Sequence, residues 1–313
     1  MQGIYPVCNF FLPMLIPIVI LFSVFFLLYL LIPKGTLVHE ATRLPELWWR
    51  SLSSGLPKAK ASKMVYGEHP RQYYLFCPAQ QQSSVPEKWI IYFHGGSWRW
   101  GKPDFFLSHA RQFTDLGFNV ILPSYRPCPK SNYEDINQDL SALLKRLHEN
   151  HPTWSPATTF TGGMSAGGHL AALLALDHSI SKVVMYSPAV FKGFFALGAP
   201  LDLNQMPDSF AIRDLTGPRE GGLFQKANPG QHLPLSPSQQ ALVIHGELDG
   251  MVPISVSASF VHKARKETPQ QIEFHRIHRG THLSVAAWPF QQKQVHQLLT
   301  AWLQSQAGHT PMQ

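Results

Sequence analysis

Ser165 is the residue whose type and setting most directly suggest chemistry. It lies at the centre of Gly163-Met164-Ser165-Ala166-Gly167, a G-x-S-x-G pentapeptide. Such a pentapeptide also recurs by chance in loops rich in glycine and serine. Here it follows the β-type stretch Thr158-Thr159-Phe160-Thr161 and precedes Gly168-His169-Leu170-Ala171-Ala172-Leu173-Leu174-Ala175-Leu176, an apolar helix-forming run. Strand, glycine-bounded serine and helix make a nucleophile elbow, in which a strained turn presents the hydroxyl at the end of a sheet. The following helix turns its free N–H groups and positive dipole end toward the reacting oxygen. The chemistry implied is acyl transfer through serine. The plainer alternative is a tight turn whose hydroxyl caps a helix.

A serine of this kind needs a base, an acid that orients the base, and a cradle for the oxyanion. Asp249, in His245-Gly246-Glu247-Leu248-Asp249-Gly250, falls between an expected strand at 241–244 and an expected helix at 254–266. It is read as the acid, with Glu247 as competitor. His275, His278 and His282 lie in or just past the last expected strand. His275 belongs to the strand pattern. His282, two residues beyond Gly280, sits in a loop and is read as the base, with His278 in reserve. The order serine, acid, histidine is the one found with this type of elbow. His94-Gly95-Gly96-Ser97 directly follows the apolar run Trp89–Phe93. Its glycines let backbone approach a carbonyl oxygen closely, so Gly95, Gly96 and Ser97, with the N–H of Ala166, are the expected oxyanion cradle.

These side chains are far apart along the chain, so a scaffold must gather them. Strands are expected at Arg71–Cys77, Trp89–Phe93, Asn119–Leu122, the stretch before the elbow, Lys182–Tyr186, Ala241–Ile244 and Ile272–Ile277. Between them the sequence predicts helices. One is capped by Asp104 and runs to Leu116, with Gly117 at its end. A longer one is capped by Asn132, with Glu134 and Asp135 in its first turn and Ile136, Leu140, Leu143, Leu144 and Leu147 at helical spacing. A closing amphipathic helix is expected from Pro289 to about Gln304. Strands alternating with helices predict an α/β protein with a mostly parallel central sheet and helices on both faces. Residues 188–238 are rich in Pro, Gly and Phe and predict an irregular insertion over the site. There Phe191, Phe194, Phe195 and Phe210 either line an apolar pocket or pack in the core.

The 313 residues allow one large domain with an ample core, or two smaller ones. Only 14% of residues are charged, and the net charge is +7. The positive residues form no run, which points away from nucleic acid and toward a mild preference for anionic membrane. Cys8, Cys77 and Cys128 are too few and too separated for a disulfide framework or a zinc site, and no metal or cofactor is expected. No charged side chain occurs between Met1 and Pro33, and Phe10 to Ile32 is apolar almost throughout. As a helix that stretch would be roughly 34 Å long, enough for a bilayer core. A cleaved signal peptide fits poorly, because there is no basic start and no small-residue cleavage site. The expectation is a single-pass anchor, with the membrane contacted through residues 10–32. Lys34, Arg43, Arg50, Lys58, Lys60 and Lys63 all follow it, which puts the C-terminal part on the cytoplasmic side. The organisation expected is an anchor at 1–33, a juxtamembrane connector at 34–65, a catalytic domain at 66–305 and a tail at 306–313.

The set His94-Gly95-Gly96-Ser97-Trp98, Ser124-Tyr125-Arg126, Gly163-Met164-Ser165-Ala166-Gly167-Gly168-His169 and His245-Gly246-Glu247-Leu248-Asp249 resembles the α/β-hydrolase superfamily. Within it, the chain is similar to the H-G-G-x-W esterases related to kynurenine formamidase and hormone-sensitive lipase. The resemblance covers about residues 65–305. It implies the α/β-hydrolase fold, a triad of Ser165, Asp249 and His282, and oxyanion donors among Gly95, Gly96, Ser97 and Ala166. Ser97 stands where the lipase-type H-G-G-G motif has its third glycine. The anchor is similar to that of prenylcysteine methylesterases and steryl deacetylases. The implied activity is hydrolysis of carboxylic esters of a small or lipophilic substrate by a membrane-anchored serine hydrolase. The alternatives are an aryl formamidase acting on an N-formylkynurenine-type amide, and a non-catalytic membrane-tethered protein on the same scaffold.

Overall fold

Along Lys88–Phe93 the side chains alternate between two hydrophobic clusters. Trp89, Ile91 and Phe93 enter one, and Ile90 and Tyr92 the other. A strand buried on both faces belongs inside a sheet that is covered on each side. The computed structural model describes residues 11–53, 57–80, 87–182 and 190–306.

In chain order the elements begin with α1 (Phe11–Leu31), α2 (Leu37–Ser53), β1 (Ser62–Val65), β2 (Tyr73–Cys77) and β3 (Lys88–Phe93). They continue with α3 (Leu107–Asp115), β4 (Phe118–Pro123), α4 (Tyr133–Asn150), β5 (Thr159–Met164), α5 (Ala166–Leu176), α6 (His178–Lys182) and β6 (Gly193–Leu197). After these come α7 (Phe210–Thr216), α8 (Gly222–Lys226), β7 (Gln240–Gly246), α9 (Ile254–Glu267), β8 (Ile272–Ile277), α10 (His282–Ala286) and α11 (Lys293–Gln306).

The strands form one sheet in the order β1-β2-β4-β3-β5-β6-β7-β8. β2 pairs antiparallel with β1 and β4, and every pairing among β3 to β8 is parallel. Apolar residues of α4, α5 and α9 share one cluster, and those of α3, α10 and α11 share the other. This is the expected α/β layering. From β3 the chain steps outward to β4 and then returns to β5 on the other side of β3. The strand order therefore reverses at β3, between β4 and β5, and the topology sets any crevice beyond the carboxyl ends of β3 and β5. Ligands bind at such a crevice in open α/β sheets.

Local signals account for several boundaries. Asn132 caps α4 through a reciprocal box with Asp135, and Gly117 takes a positive φ of 83° just after α3. Asp104 does not cap a helix. Residues Pro103–Phe106 form a 3-10 turn, and Asp104 accepts a hydrogen bond from the Tyr73 hydroxyl at 3.0 Å. The expected strand Lys182–Tyr186 falls almost wholly on 183–189, outside the described residues, while Lys182 itself ends α6. The strand between β5 and β7 is β6, inside the stretch read as irregular insertion. Phe194 and Phe195 alternate along β6 into the two clusters and Phe191 is also buried, so these three are core, whereas Phe210 at the start of α7 is exposed. The remainder of the insertion holds α7, α8 and two 3-10 turns. The closing helix begins at Lys293, later than expected.

The stretch read as a connector contributes α2 and β1, and β1 pairs with β2 at the sheet edge. The N-terminal apolar stretch is helical as α1 over 21 residues. Side chains 11–15, 18, 25 and 28 lie outside the description. Among the described residues no helix is long and apolar enough to cross a membrane. The end of α1 is tied to α2: Tyr29 donates its hydroxyl to Glu46 at 3.2 Å, and the Arg43 guanidinium lies 3.5 Å from the Tyr29 ring centre.

Candidate active site

Ser165 joins β5 to α5 in a backbone conformation that a side chain rarely adopts, φ 53° and ψ −126°. The close approach of strand and helix holds it there. A Cβ on Gly163 would lie 2.5 Å from the Gly167 carbonyl carbon, and a Cβ on Gly167 would overlap the Phe93 carbonyl oxygen. Only bare backbone fits at either place, which is why the pentapeptide has glycines there. The Ser165 N–H donates to Leu197 O at 2.8 Å and so locks the turn to the end of β6. Ala166 is the first residue of α5, and no side chain caps the helix, so its N–H faces outward without a partner in the helix.

Asp249 follows β7 in a tight loop. Its Oδ1 accepts the N–H groups of Met251 at 2.9 Å and Val252 at 2.8 Å. Its Oδ2 lies 2.7 Å from His282 Nδ1 and 3.2 Å from His245 Nε2. His282 is the first residue of α10, which is capped by a reciprocal box between Thr281 and Ser284. A side chain on Gly198, the residue after β6, would reach 3.2 Å from Asp249 Oδ2 and 3.3 Å from His282 Nδ1. Ser165, bonded to Leu197, and the Asp249–His282 pair, beside Gly198, thus both border the end of β6. Among the described residues Ser165 Oγ makes no hydrogen bond; such contacts are often long before substrate binds.

The electrostatics of the pair follow from its burial and its charges. Burial alone would raise the Asp249 pKa, but the charge of His282 and the hydrogen bonds from both histidines outweigh it and hold the carboxyl well below the usual range. Burial alone would lower the His282 pKa, but Asp249 outweighs it, helped by Glu40, and leaves the imidazole above its ordinary value. A buried imidazole bonded through Nδ1 to a carboxylate is a base whose Nε2 is free to take a proton.

The rival candidates pair away from the site, two of them with each other. His278, 83% exposed at its side chain, lies 2.9 Å from Glu247 Oε2, and His275 lies 3.2 Å from Glu273 on β8.

The loop after β3 turns sharply. Gly96 has φ +121°, and Ser97 and Trp98 have φ 53° and 57°. Among the described residues the amides of Gly96 and Ser97 donate to no group of the chain. Two histidines hold the neighbourhood of this loop. His94, whose pKa burial lowers to about 4, stacks on Tyr125 with centres 4.5 Å apart and donates Nδ1 to Gly95 O at 2.9 Å. His169 on α5 donates Nε2 to Ala227 O at 2.7 Å and accepts the Trp98 indole N–H at 3.2 Å. Arg71 bonds Ser124 Oγ and Gly101 O, while Arg126 pairs with buried Asp139 at 2.8 Å. Tyr125, and Ser124 through Arg71, therefore brace the loop, while Arg126 ties the motif to α4.

Sequence reasoning missed His245, Arg71 and Glu40. His245 stood inside a quoted motif without a role. Glu40, on α2, is fully buried and reaches the backbone beside His282. No local pattern distinguishes it from the other charges of an amphipathic helix.

A family model described as BD-FAE matches residues 74–264. Among curated proteins, the probable carboxylic ester hydrolase LipM of Mycobacterium tuberculosis is 23% identical over 201 residues, covering 58% of this chain and 45% of the relative. Esterase LipQ of the same organism is 26% identical over 187 residues, covering 55% and 44%. The chain thus spans less than half the length of these relatives. Among solved structures, a truncated carbohydrate esterase from gut microbiota superposes with a TM-score of 0.69 at 17% identity, over 81% of this chain and 98% of the other. Esterase B from Lactobacillus rhamnosis gives 0.68 at 17% identity, over 87% and 96%. At that identity the two structures speak for the fold alone.

Proposed function

Since the chain belongs to the BD-FAE family, we propose that it is a serine hydrolase of carboxylic esters, with Ser165 as nucleophile, His282 as base and Asp249 as the acid that orients it. The observation that carries this reading is the 2.7 Å contact between His282 and Asp249 at the carboxyl end of the sheet, where Ser165 is held in a strained turn. The ester-hydrolase names of LipM and LipQ support the same reaction class.

In this mechanism Ser165 Oγ attacks the ester carbonyl while His282 Nε2 takes its proton. The oxyanion is met by the N–H of Ala166 and by amides of the loop Gly95–Ser97. Each such donor is worth about 2.7–4 kcal/mol in the transition state. His282 then protonates the departing alkoxide. Water, deprotonated by the same imidazole, attacks the acyl-enzyme, the bond to Ser165 Oγ breaks, and His282 returns the proton to that oxygen as the acid leaves.

Residues 10–32 serve in this reading as a single-pass membrane anchor, with the catalytic domain on the cytoplasmic side and a small or lipophilic ester as substrate. The support is in the sequence, a charge-free stretch that is apolar almost throughout, has Leu21 and Phe22 exposed and is followed by Lys and Arg. Resistance to carbonate extraction tests the anchor; release into the supernatant would refute it.

The function is tested by labelling with a fluorophosphonate probe. The native chain should label and Ser165→Ala should not. A well-folded native chain that takes up no probe would refute the assignment. Turnover of p-nitrophenyl esters against N-formylkynurenine separates esterase from formamidase.

A further inference from the structure

Glu40 sits in the first turn of α2, more than 200 residues before the groups it touches. Its side chain is fully buried. Oε1 accepts the N–H of His282 at 2.8 Å and that of Gly250 at 3.4 Å, and Oε2 accepts the N–H of Leu283 at 3.1 Å. One carboxylate therefore bonds both to the loop that carries Asp249 and to the turn that carries His282.

The division of labour at the start of α10 shows why no other group replaces it. The reciprocal box satisfies the amides of Thr281 and Ser284. The amides of His282 and Leu283, the first two of the helix, are orphans of the kind every helix start leaves, and here they are buried. Glu40 takes both. The approach is close along this whole contact: a Cβ on Gly250 would lie 2.5 Å from the Thr36 carbonyl carbon, and Thr36 accepts the Glu40 N–H.

We propose that Glu40 is a positioning residue for the reaction proposed above, its carboxylate setting the backbone of His282 against the Asp249 loop. The start of α2 is then part of the active site, although it precedes the sheet. The proposal rests on the serine-hydrolase reading. The charged or titratable groups facing His282 are Asp249 from the β7–α9 loop and Glu40 from α2, with His245 on the far side of Asp249.

The test uses Glu40→Gln and Glu40→Ala in the full chain, dispersed in detergent. Active sites are counted with fluorophosphonate, and kcat and KM for p-nitrophenyl acetate are measured across pH. Glu40→Gln keeps the shape and one acceptor oxygen but loses the charge. It should lower kcat per labelled site by about tenfold or more with KM within about twofold, the pattern of misplaced catalytic groups. The acid limb of its kcat/KM profile should move to lower pH, because a negative charge beside the imidazole is gone. Glu40→Ala should lose more. Wild-type kcat per labelled site and an unmoved acid limb in both variants would overturn the proposal alone. So would an activity loss fully explained by fewer labelled sites. A native chain that neither labels nor turns over ester would overturn the functional reading and this proposal with it.

Discussion

Asp249→Asn gives the sharpest test of how the acid works. The two carboxylate oxygens of Asp249 face different partners. Oδ1 accepts two backbone amides, from Met251 and Val252, while Oδ2 faces His282 Nδ1 and His245 Nε2. An asparagine must put its oxygen on one side and its NH₂ on the other. Turning the NH₂ toward the amides would leave two buried donors unpaired, at about 1–3 kcal/mol each. The oxygen therefore stays with the amides, and the NH₂ faces the imidazole of His282. His282 Nδ1 must then accept, its proton moves to Nε2, and that nitrogen can no longer take the proton of Ser165. A base locked in the wrong tautomer costs on the order of 10⁴ in kcat, or about 5.5 kcal/mol of barrier. The assay is kcat/KM for p-nitrophenyl acetate beside the rate of fluorophosphonate labelling. Both should fall together, because phosphonylation needs the same base. Glu247→Gln, which alters exposed contacts to His278 and to the Arg279 N–H, should stay within about twofold of wild type. A folded Asp249→Asn protein within tenfold of wild type would refute the reasoning.

Other expectations follow from the same structure. Activity requires neutral His282, whose pKa is held above its ordinary value of 6.5 mainly because Asp249 outweighs burial. The acid limb of kcat/KM should therefore centre above that value, activity rising with pH, and a midpoint clearly below 6.5 would contradict the pair's geometry. Gly167→Ala forces a methyl onto the Phe93 carbonyl oxygen and should destabilise by about 3 kcal/mol or more in urea melts, with loss of labelling. Asp139→Ala removes the buried carboxylate that accepts from Gln72 Nε2 and from the Arg126 N–H and Nε, leaving Arg126 only its more exposed pair with Asp135, and should cost about 3 kcal/mol on the same measure. Phe195→Ala should cost about 3–5 kcal/mol, whereas Phe210→Ala, 62% exposed, should change stability by less than about 0.5 kcal/mol.

The elements around the site were largely legible because their signals are local. A short apolar run such as Trp89–Phe93, too short for a helix and ending in Gly95-Gly96, reads as an inner strand, and the Asn132–Asp135 box marks a helix start by side-chain reach alone. β6 was harder to see. Gly193-Phe194-Phe195-Ala196-Leu197 reads as a strand only once β5 and β7 flank it, and Pro- and Gly-rich neighbours hide it in the sequence. Asp104 looked like a cap because caps are read from one residue type beside a helix, but the Tyr73 hydroxyl on β2 competes for it. Phe194 and Phe195 looked equally suited to a pocket or a core, since hydrophobicity does not say which apolar surface lies opposite.

The amino-acid order alone places Ser165 on a strand-to-helix turn, because the steric demand for glycine at 163 and 167 is written within five residues. It also ordered the serine, the acid and the histidine along the chain. The folded sheet settles which acid and which histidine meet, sending Asp249 to His282 and Glu247 to His278. It alone brought Glu40 under the backbone of His282. The physical reason is range. Backbone sterics and helix capping act over a few residues and leave a mark in the sequence. A hydrogen bond between residues 242 positions apart depends on where the intervening sheet puts its ends.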